Sequence, residues 1–256
     1  MEQPVFSGVG VALVTVFDDD LRLQPGACGQ LAAQLIDVGM RAVVVAGSTG
    51  EAKSLSEEER DELLLAVRKT VLTSSGVPVI AGTGADTAAQ AAVHTKRARE
   101  CGADGFLVLS PSDSDDLVGY YSAVAAEAGG LPVLGYHFPI ASSPGIEVAR
   151  LHDLPIHGLK DTSGDPERLL LTKKTWTGHL FTGSSALLSL AGQIGCAGAI
   201  LTLANAMPEA CIAAFEGDGE AQVGLIEQHL LVNREFPSAI KRLTSDRFGV
   251  SAKARL

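Results

Sequence analysis

Residues 77–111 read VPVIAGTGADTAAQAAVHTKRARECGADGFLVLSP and contain one complete strand–helix–strand unit. The apolar runs at 77–81 and 104–109 are unbroken, whereas residues 86–101 have the periodicity of a helix. Unbroken apolar runs are expected of parallel strands that are covered by helices on both faces. The stretch therefore predicts a βαβ unit within a parallel sheet.

The same unit recurs along the chain. Apolar runs occur at 8–16, 42–46, 77–81, 104–109, 131–136, 156–160, 179–183 and 197–201. Helical segments are predicted between them at 25–38, 56–71, 86–101, 116–128, 144–152, 165–174 and 185–193. Eight such units in about 200 residues favour an α/β fold of the (β/α)8 TIM barrel type. A doubly wound open sheet is the alternative, but no G-x-G-x-x-G motif follows the first run.

The last fifth of the chain is helical by pattern. Helices are predicted at 208–216, 220–233 and 235–248, which is more helix than one barrel needs. We therefore expect a barrel over residues 1–205. Residues 206–256 are expected to supply the last barrel helix and a small C-terminal helical extension.

Composition narrows the class of function. The 256 residues are 46% hydrophobic, with a net charge of −10 and a pI of about 5.0. Without a basic run, neither a nucleic acid nor an anionic membrane is an expected partner. No apolar stretch reaches about 18 residues, and the four cysteines show no CxxC spacing. We expect a soluble cytoplasmic protein that binds small molecules.

Lys160 ends the apolar run 156–160, where solubility does not explain a lysine. Burial favours the free amine, which is the nucleophile that forms Schiff bases with ketones. The alternative is a strand-end lysine whose ammonium group reaches water along its stem.

Other polar residues also follow predicted strands, where barrel enzymes place their chemistry. Residues 46–51 read AGSTGE, and such a loop suits a carboxylate or phosphate, although ordinary turns share this composition. Tyr136 could transfer a proton or simply pack as an aromatic residue. The six histidines show no metal-ligand spacing, so no metal is expected.

With these three features on strand ends, the sequence resembles the dihydrodipicolinate synthase and N-acetylneuraminate lyase family of pyruvate-dependent class I aldolases. The resemblance covers nearly the whole chain. It rests most strongly on GSTGE at 47–51 and GLKDTSGD at 158–165, which lie in this order about 110 residues apart.

The resemblance implies that Lys160 forms an imine with pyruvate or another 2-oxo acid. Tyr136 is implied to move protons, while Ser48 and Thr49 hold the carboxylate. Further substrate contacts are expected at Gly47, Thr162, Gly183, Ser184 and Ile200. Neither a metal nor an organic cofactor is required, because the substrate is held as an imine. A homo-oligomer, either a dimer or a tetramer, is also implied.

Two departures bear on the substrate. Dihydrodipicolinate synthases carry a tyrosine after strand 4 and an arginine after their Y-N-x-P motif. Here residues 110–116 contain no aromatic residue, and Ile140 follows Tyr136-His137-Phe138-Pro139. His137, which replaces the motif asparagine, could reshape the pocket or point away from it. These differences argue against dihydrodipicolinate synthesis.

The K-D-T sequence at 160–162 is closer to the 2-keto-3-deoxygluconate and 4-hydroxy-2-oxoglutarate aldolases of the family. It suggests cleavage of a 4-hydroxy-2-oxo acid to pyruvate and an aldehyde, with Asp161 as a structural partner. Three alternatives remain: a dihydrodipicolinate synthase-like condensation, a sugar-acid dehydratase that uses the same imine, and a catalytically silent protein that binds 2-oxo acids.

Overall fold

A computed structural model describes residues 3–74 and 76–256, and within these residues eight parallel strands close into a barrel in sequence order. The strands are β1 (Gly8–Ala12), β2 (Val43–Val45), β3 (Val79–Gly82), β4 (Gly105–Leu109), β5 (Val133–His137), β6 (Gly158–Asp161), β7 (His179–Thr182) and β8 (Gly198–Leu201). Each of the eight apolar runs overlaps one strand, and β3, β5 and β6 extend one residue beyond the predicted run. Because β1 pairs with both β2 and β8, the TIM barrel is confirmed and the open sheet is excluded.

Helices cover the outside of the barrel. They are α1 (Pro25–Val38), α2 (Glu57–Ser74), α3 (Ala88–Glu100), α4 (Leu117–Ala128), α5 (Pro166–Thr175), α6 (Leu188–Gln193), α7 (Pro208–Phe215), α8 (Gly219–Gly224), α9 (Ile226–Arg234) and α10 (Ser238–Phe248). Ser56 and Glu59 form a capping box at the start of α2. Ser56 N–H donates to Glu59 Oε2 at 3.1 Å, and Glu59 N–H donates to Ser56 Oγ at 3.2 Å.

Alternate residues of each strand pack on opposite sides of the sheet. One set forms a cluster inside the barrel that includes Ile80, Leu107, Leu134 and Ile200, and the other packs against the helices. Phe6 contributes to the interior cluster, with its ring centroid 4.8 Å from that of Phe181. These layers fill the barrel below its carboxyl end, so chemistry is confined to that end.

Four segments differ from the predicted elements, and one of them, the predicted helix 185–193, is divided into a 3₁₀ turn at Ser185–Leu187 and α6. The run 8–16 leaves the sheet after Ala12, because Val14 N–H donates to the Asn205 side chain at 3.0 Å. The predicted helix 144–152 is a 3₁₀ helix at Val148–Asp153, since Gly145 has a φ of +78° that a right-handed helix does not allow. The predicted helix 220–233 is divided into α8 and α9.

The helices that follow the last strand confirm a C-terminal extension. Within it, α9 packs against the 3₁₀ turn Ser185–Leu187 after β7 and against Leu203–Asn205 after β8. This packing brings the extension to the carboxyl end of the barrel. The division of the chain at residue 205 stays a prediction. Across the described residues, no helix combines the length and apolar character needed to cross a membrane.

Candidate active site

A cavity of about 320 Å³ opens at the carboxyl end of the barrel. Seven of the predicted site residues line it: Ser48, Thr49, Tyr136, Lys160, Thr162, Gly183 and Ser184. Gly47 lines an adjoining cavity of about 410 Å³, which shares Ser48 and Tyr136 with the first. Ile200 is buried in the interior cluster and is not on the wall of either cavity. The structure thus brings together residues from four different strand ends.

Lys160 lies on β6 and is 3% exposed. Its register partners are Tyr136 on β5 and Phe181 on β7. The Nζ atom lies 4.2 Å from the centroid of the Tyr136 ring. The lysine therefore does not extend to bulk solvent, and its amine is presented to the cavity beside a phenol.

Gly183 makes room for the lysine. A Cβ atom at this position would lie 1.9 Å from Thr162 Oγ1 and 2.8 Å from Lys160 Cε. Both distances are shorter than any ordinary contact, so a side chain here would displace the lysine or the threonine. The structure therefore gives Gly183 a steric function beside the amine.

Tyr136 is 5% exposed, and its ring stacks on Phe138 with centroids 5.7 Å apart. The two tyrosines of α4 have different surroundings. Tyr120 Oη donates to Ala85 O at 2.9 Å, and Tyr121 Oη donates to Val108 O at 2.9 Å. Burial raises the pKa of Tyr120 to about 12. Neither residue lines the cavity, so Tyr136 supplies its phenol.

The loop 46–51 after β2 is held in an unusual backbone conformation. Ala46 and Glu51 have φ angles of +51° and +54°, which cost residues other than glycine of the order of 1–3 kcal/mol each. Surrounding contacts fix the loop: Thr15 Oγ1 donates to Gly50 O at 2.7 Å, and the Oγ1 atoms of Thr49 and Thr202 lie 2.7 Å apart. Strain supported in this way is typical of a functional loop.

A buried ion pair anchors the end of this loop. Glu51 Oε1 lies 2.5 Å from Lys241 Nζ on α10, and both side chains are at most 1% exposed. Glu51 Oε2 accepts from the backbone N–H groups of Arg255 and Leu256 at 2.7 and 3.0 Å. Burial lowers the pKa of Lys241, and the contact with Glu51 opposes that effect. No sequence pattern predicts this anchor, because nothing local links residues about 190 positions apart.

Asp161 and His137 face away from the cavity. Asp161 pairs with Arg168, with Oδ2 2.8 Å from Nε, and accepts from Ser163 N–H at 2.9 Å. His137 Nδ1 accepts from Ile146 N–H at 2.9 Å. Burial, aided by the Arg168 charge, lowers the pKa of His137 to about 4, so the imidazole is neutral. Both residues support the loops around the site, and neither lines the cavity.

The C-terminal extension adds a group that the sequence analysis also missed. His229 on α9 lies between Ser185 and Asn233, and all three residues line the cavity. Ser185 Oγ is 2.8 Å from His229 Nδ1, and Asn233 Nδ2 is 3.0 Å from His229 Nε2. The i, i+4 spacing of His229 and Asn233 was visible in the sequence, but its contact with Ser185 depends on the fold.

Within the part of the chain that the structure describes, no group of three or more potential metal ligands comes together. The arrangement instead combines a buried amine, a phenol and a strained loop with hydroxyl groups. Such a set can attack a ketone, transfer protons and hold a carboxylate.

Comparisons with known proteins agree with this geometry. Residues 5–246 match the model of the Dihydrodipicolinate synthetase family. A 4-hydroxy-tetrahydrodipicolinate synthase from Xanthomonas axonopodis pv. citri is 36% identical over 229 residues, covering 84% of this chain and 75% of the relative.

Two solved structures resemble the fold. The dihydrodipicolinate synthase from Aquifex aeolicus has a TM-score of 0.88 and 27% identity, with 98% of this chain and 91% of that chain covered. The chloride-inhibited dihydrodipicolinate synthase from Acinetobacter baumannii, complexed with pyruvate, has a TM-score of 0.83 and 27% identity. That match covers 93% of this chain and 87% of the other.

Proposed function

Because this chain belongs to the dihydrodipicolinate synthetase family and is a carbon–carbon lyase, we propose that it forms a Schiff base between Lys160 and pyruvate or a 2-oxo acid. The proposed reaction is cleavage or formation of a 4-hydroxy-2-oxo acid of the 2-keto-3-deoxygluconate or 4-hydroxy-2-oxoglutarate type. The proposal depends above all on the buried Lys160 amine, 4.2 Å from the centroid of the Tyr136 ring. The chemistry requires no metal or organic cofactor, because the imine itself withdraws electrons.

The carboxylate of the substrate is assigned to the loop that contains Gly47, Ser48 and Thr49. Across the described residues, the backbone N–H groups of Ser48 and Thr49 have no backbone acceptor. Both residues also line the cavity. Neighbouring N–H groups in a tight turn form a concave site that suits an anion. This assignment places the keto carbon between the loop and Lys160.

Tyr136 is the proposed proton carrier. The Lys160 amine adds to the keto carbon, and Tyr136 donates a proton as the hydroxyl group leaves as water and the imine forms. In the cleavage direction, Tyr136 then takes the proton of the C4 hydroxyl group. The C3–C4 bond breaks, its electrons move into the imine to give an enamine, and the aldehyde departs. A proton then adds to C3, and water hydrolyses the imine to release pyruvate.

Thr162 is suited to contact the substrate near the reacting carbons. Its buried Oγ1 has no hydrogen-bond partner within the described residues, and a buried hydroxyl group in that condition costs free energy. A substrate hydroxyl or carbonyl oxygen would satisfy it. Gly183 and Ser184 complete this side of the cavity.

The second candidate is a condensation of the dihydrodipicolinate synthase type, because the relative from Xanthomonas is a 4-hydroxy-tetrahydrodipicolinate synthase. Two features of the site weigh against it. The loop 110–116 contributes no residue to the cavity wall. Ile140 lies on the wall, close to the position at which dihydrodipicolinate synthases carry an arginine. A sugar-acid dehydratase would use the same imine, so its products must be distinguished from those of an aldolase.

Pyruvate release from 4-hydroxy-2-oxo acids tests the proposal. Lys160→Ala is expected to abolish release while the protein remains folded. Lys174→Ala removes an exposed lysine of α5 and serves as the matched control, with unchanged release expected. Full activity of Lys160→Ala would overturn the imine mechanism. Release of water without carbon–carbon cleavage would instead support the dehydratase.

A further inference from the structure

The group Ser185–His229–Asn233 is not used by the proposed mechanism, yet it forms part of the cavity wall. Both nitrogens of His229 are occupied, Nδ1 by Ser185 Oγ and Nε2 by the Asn233 amide. Burial lowers the pKa of His229, so the ring is neutral at neutral pH. The imidazole therefore fixes the positions of Ser185 Oγ and the Asn233 amide.

The two positioned side chains keep hydrogen-bonding capacity for a ligand. A serine hydroxyl group has one donor and two acceptor positions, and an asparagine amide has two donors and two acceptor positions. His229 takes one position of each. The remaining positions on Ser185 and Asn233 are neutral donors and acceptors on the wall of the cavity. Such a pair matches hydroxyl groups of a substrate.

The group lies beside Lys160 and away from the loop assigned to the carboxylate. Ser48 and Thr49 follow β2, whereas Ser185 follows β7 and is covered by α9. In an eight-stranded barrel with sequential order, β7 lies three strands from β2 and next to β6, which carries Lys160. Ser185 and Asn233 therefore lie on the same cavity wall as Lys160, where they can meet the remaining carbons of a substrate whose carboxylate is held by the β2 loop.

The charge of this wall limits which groups the remaining carbons of the substrate can carry. Among the described residues that line the cavity, Lys160 carries the one ammonium or guanidinium group, and no aspartate or glutamate is present. Once Lys160 forms the protonated imine, its charge is engaged at the keto carbon, so a second carboxylate or a phosphate beside Ser185 and Asn233 would have no cation of its own. Lys53 and Arg60 line the adjoining cavity, whose wall includes neither Ser185 nor Asn233. Leaving water without such a partner is costly for an anion.

From these contacts we infer that Ser185 and Asn233, held in place by the positioning residue His229, bind the hydroxyl groups at the uncharged end of a polyhydroxy 2-oxo acid. The inference rests on the proposed function and selects within it: a substrate of the 2-keto-3-deoxygluconate type is favoured over the dicarboxylate 4-hydroxy-2-oxoglutarate.

Steady-state cleavage of these two compounds tests the inference. The unsubstituted protein is expected to cleave 2-keto-3-deoxygluconate with a kcat/KM more than about 10-fold higher than its kcat/KM for 4-hydroxy-2-oxoglutarate. Ser185→Ala and Asn233→Ala are each expected to raise KM for this substrate by about 2- to 13-fold, the net value of one hydrogen bond, with little loss of kcat. His229→Ala should also raise KM for this substrate, and His229→Gln should raise it less. His152→Ala, at an exposed histidine outside the cavity, is the control and should change neither constant.

A change of charge gives the sharpest version of the test. Asn233→Arg places a guanidinium group at the same point of the wall, and it should shift the ratio of kcat/KM values toward 4-hydroxy-2-oxoglutarate. The inference is overturned if the unsubstituted protein prefers the dicarboxylate, if the variants affect both substrates equally, or if 2-keto-3-deoxygluconate is not cleaved although pyruvate forms an adduct on Lys160. Absence of that adduct in the unsubstituted protein would instead refute the proposed function.

Discussion

Tyr136 and Lys160 are register partners on neighbouring strands, and the lysine Nζ lies 4.2 Å from the centroid of the tyrosine ring. Paired residues of adjacent parallel strands project on the same side of the sheet. The amine and the phenol are therefore placed together by the sheet itself and do not depend on a mobile loop. Because the sheet positions each residue, substitution of one should leave the other in place, and the two functions can be tested separately.

Tyr136→Phe removes the proposed proton carrier and keeps the ring that stacks on Phe138. We expect a pyruvate adduct on Lys160 still to form, with turnover reduced by about 10²–10⁴-fold, the usual contribution of acid–base catalysis. Tyr120→Phe is the matched control, because its hydroxyl group bonds Ala85 outside the cavity. It should lower stability and leave kcat unchanged. An unchanged rate in Tyr136→Phe would assign Tyr136 to packing.

Gly183→Ala tests the space around the amine. The added Cβ would lie 2.8 Å from Lys160 Cε, so the lysine must move, and adduct formation with pyruvate is expected to be lost or greatly slowed. Gly224→Ala is the control, because no atom lies within 4 Å of the added Cβ. Trapping of the adduct by mass spectrometry measures both variants. Normal trapping in Gly183→Ala would show that the site tolerates this displacement.

Lys241→Met tests the anchor of the carboxylate loop. The substitution leaves Glu51 as a buried charge without its cation, which is expected to lower the free energy of unfolding by about 3–5 kcal/mol. Because the loop that carries Ser48 and Thr49 loses support, KM for pyruvate should also rise. Lys253→Met removes an exposed lysine side chain of the C-terminal segment and should change neither quantity measurably. Equal stability of the two variants would contradict the importance of the buried pair.

His137 predicts a dependence of stability on pH. Its pKa is about 4 in the folded protein, against 6.5 for an unperturbed histidine, because burial and Arg168 disfavour the charged ring. Between these values the unfolded chain binds more protons, so this contribution to stability is present above pH 6.5 and is lost as the pH falls toward 4. His137→Asn should reduce the slope of unfolding free energy against pH in this window. His152→Asn should retain it, and a slope unaffected by His137→Asn would contradict the assignment.

The sequence was sufficient for the barrel because each strand is an unbroken apolar run with a helix or turn signal after it. It also placed Lys160 and Tyr136 at strand ends, which all lie on one side of a parallel barrel. Their direct contact depends on the register of β5 and β6. The connection after β5 was predicted wrongly, because the positive φ of Gly145 and the hydrogen bond from Ile146 N–H to His137 arise from tertiary contacts. Local patterns carry no signal for such contacts.

The residues missed by the sequence analysis share one property. Lys241 reaches Glu51, and His229 reaches Ser185, across separations that no periodicity or motif connects. Both belong to the C-terminal helices, for which the sequence predicted only an extension of the barrel. The expected dimer or tetramer stays a prediction.

The central claim is that Lys160 forms a covalent imine with pyruvate. Intact-mass analysis after incubation with pyruvate and borohydride, followed by peptide mapping, tests it directly. We predict a single reduced pyruvyl group on Lys160 and none in Lys160→Ala. Binding of pyruvate without any adduct, or an adduct on a different lysine, would contradict the claim.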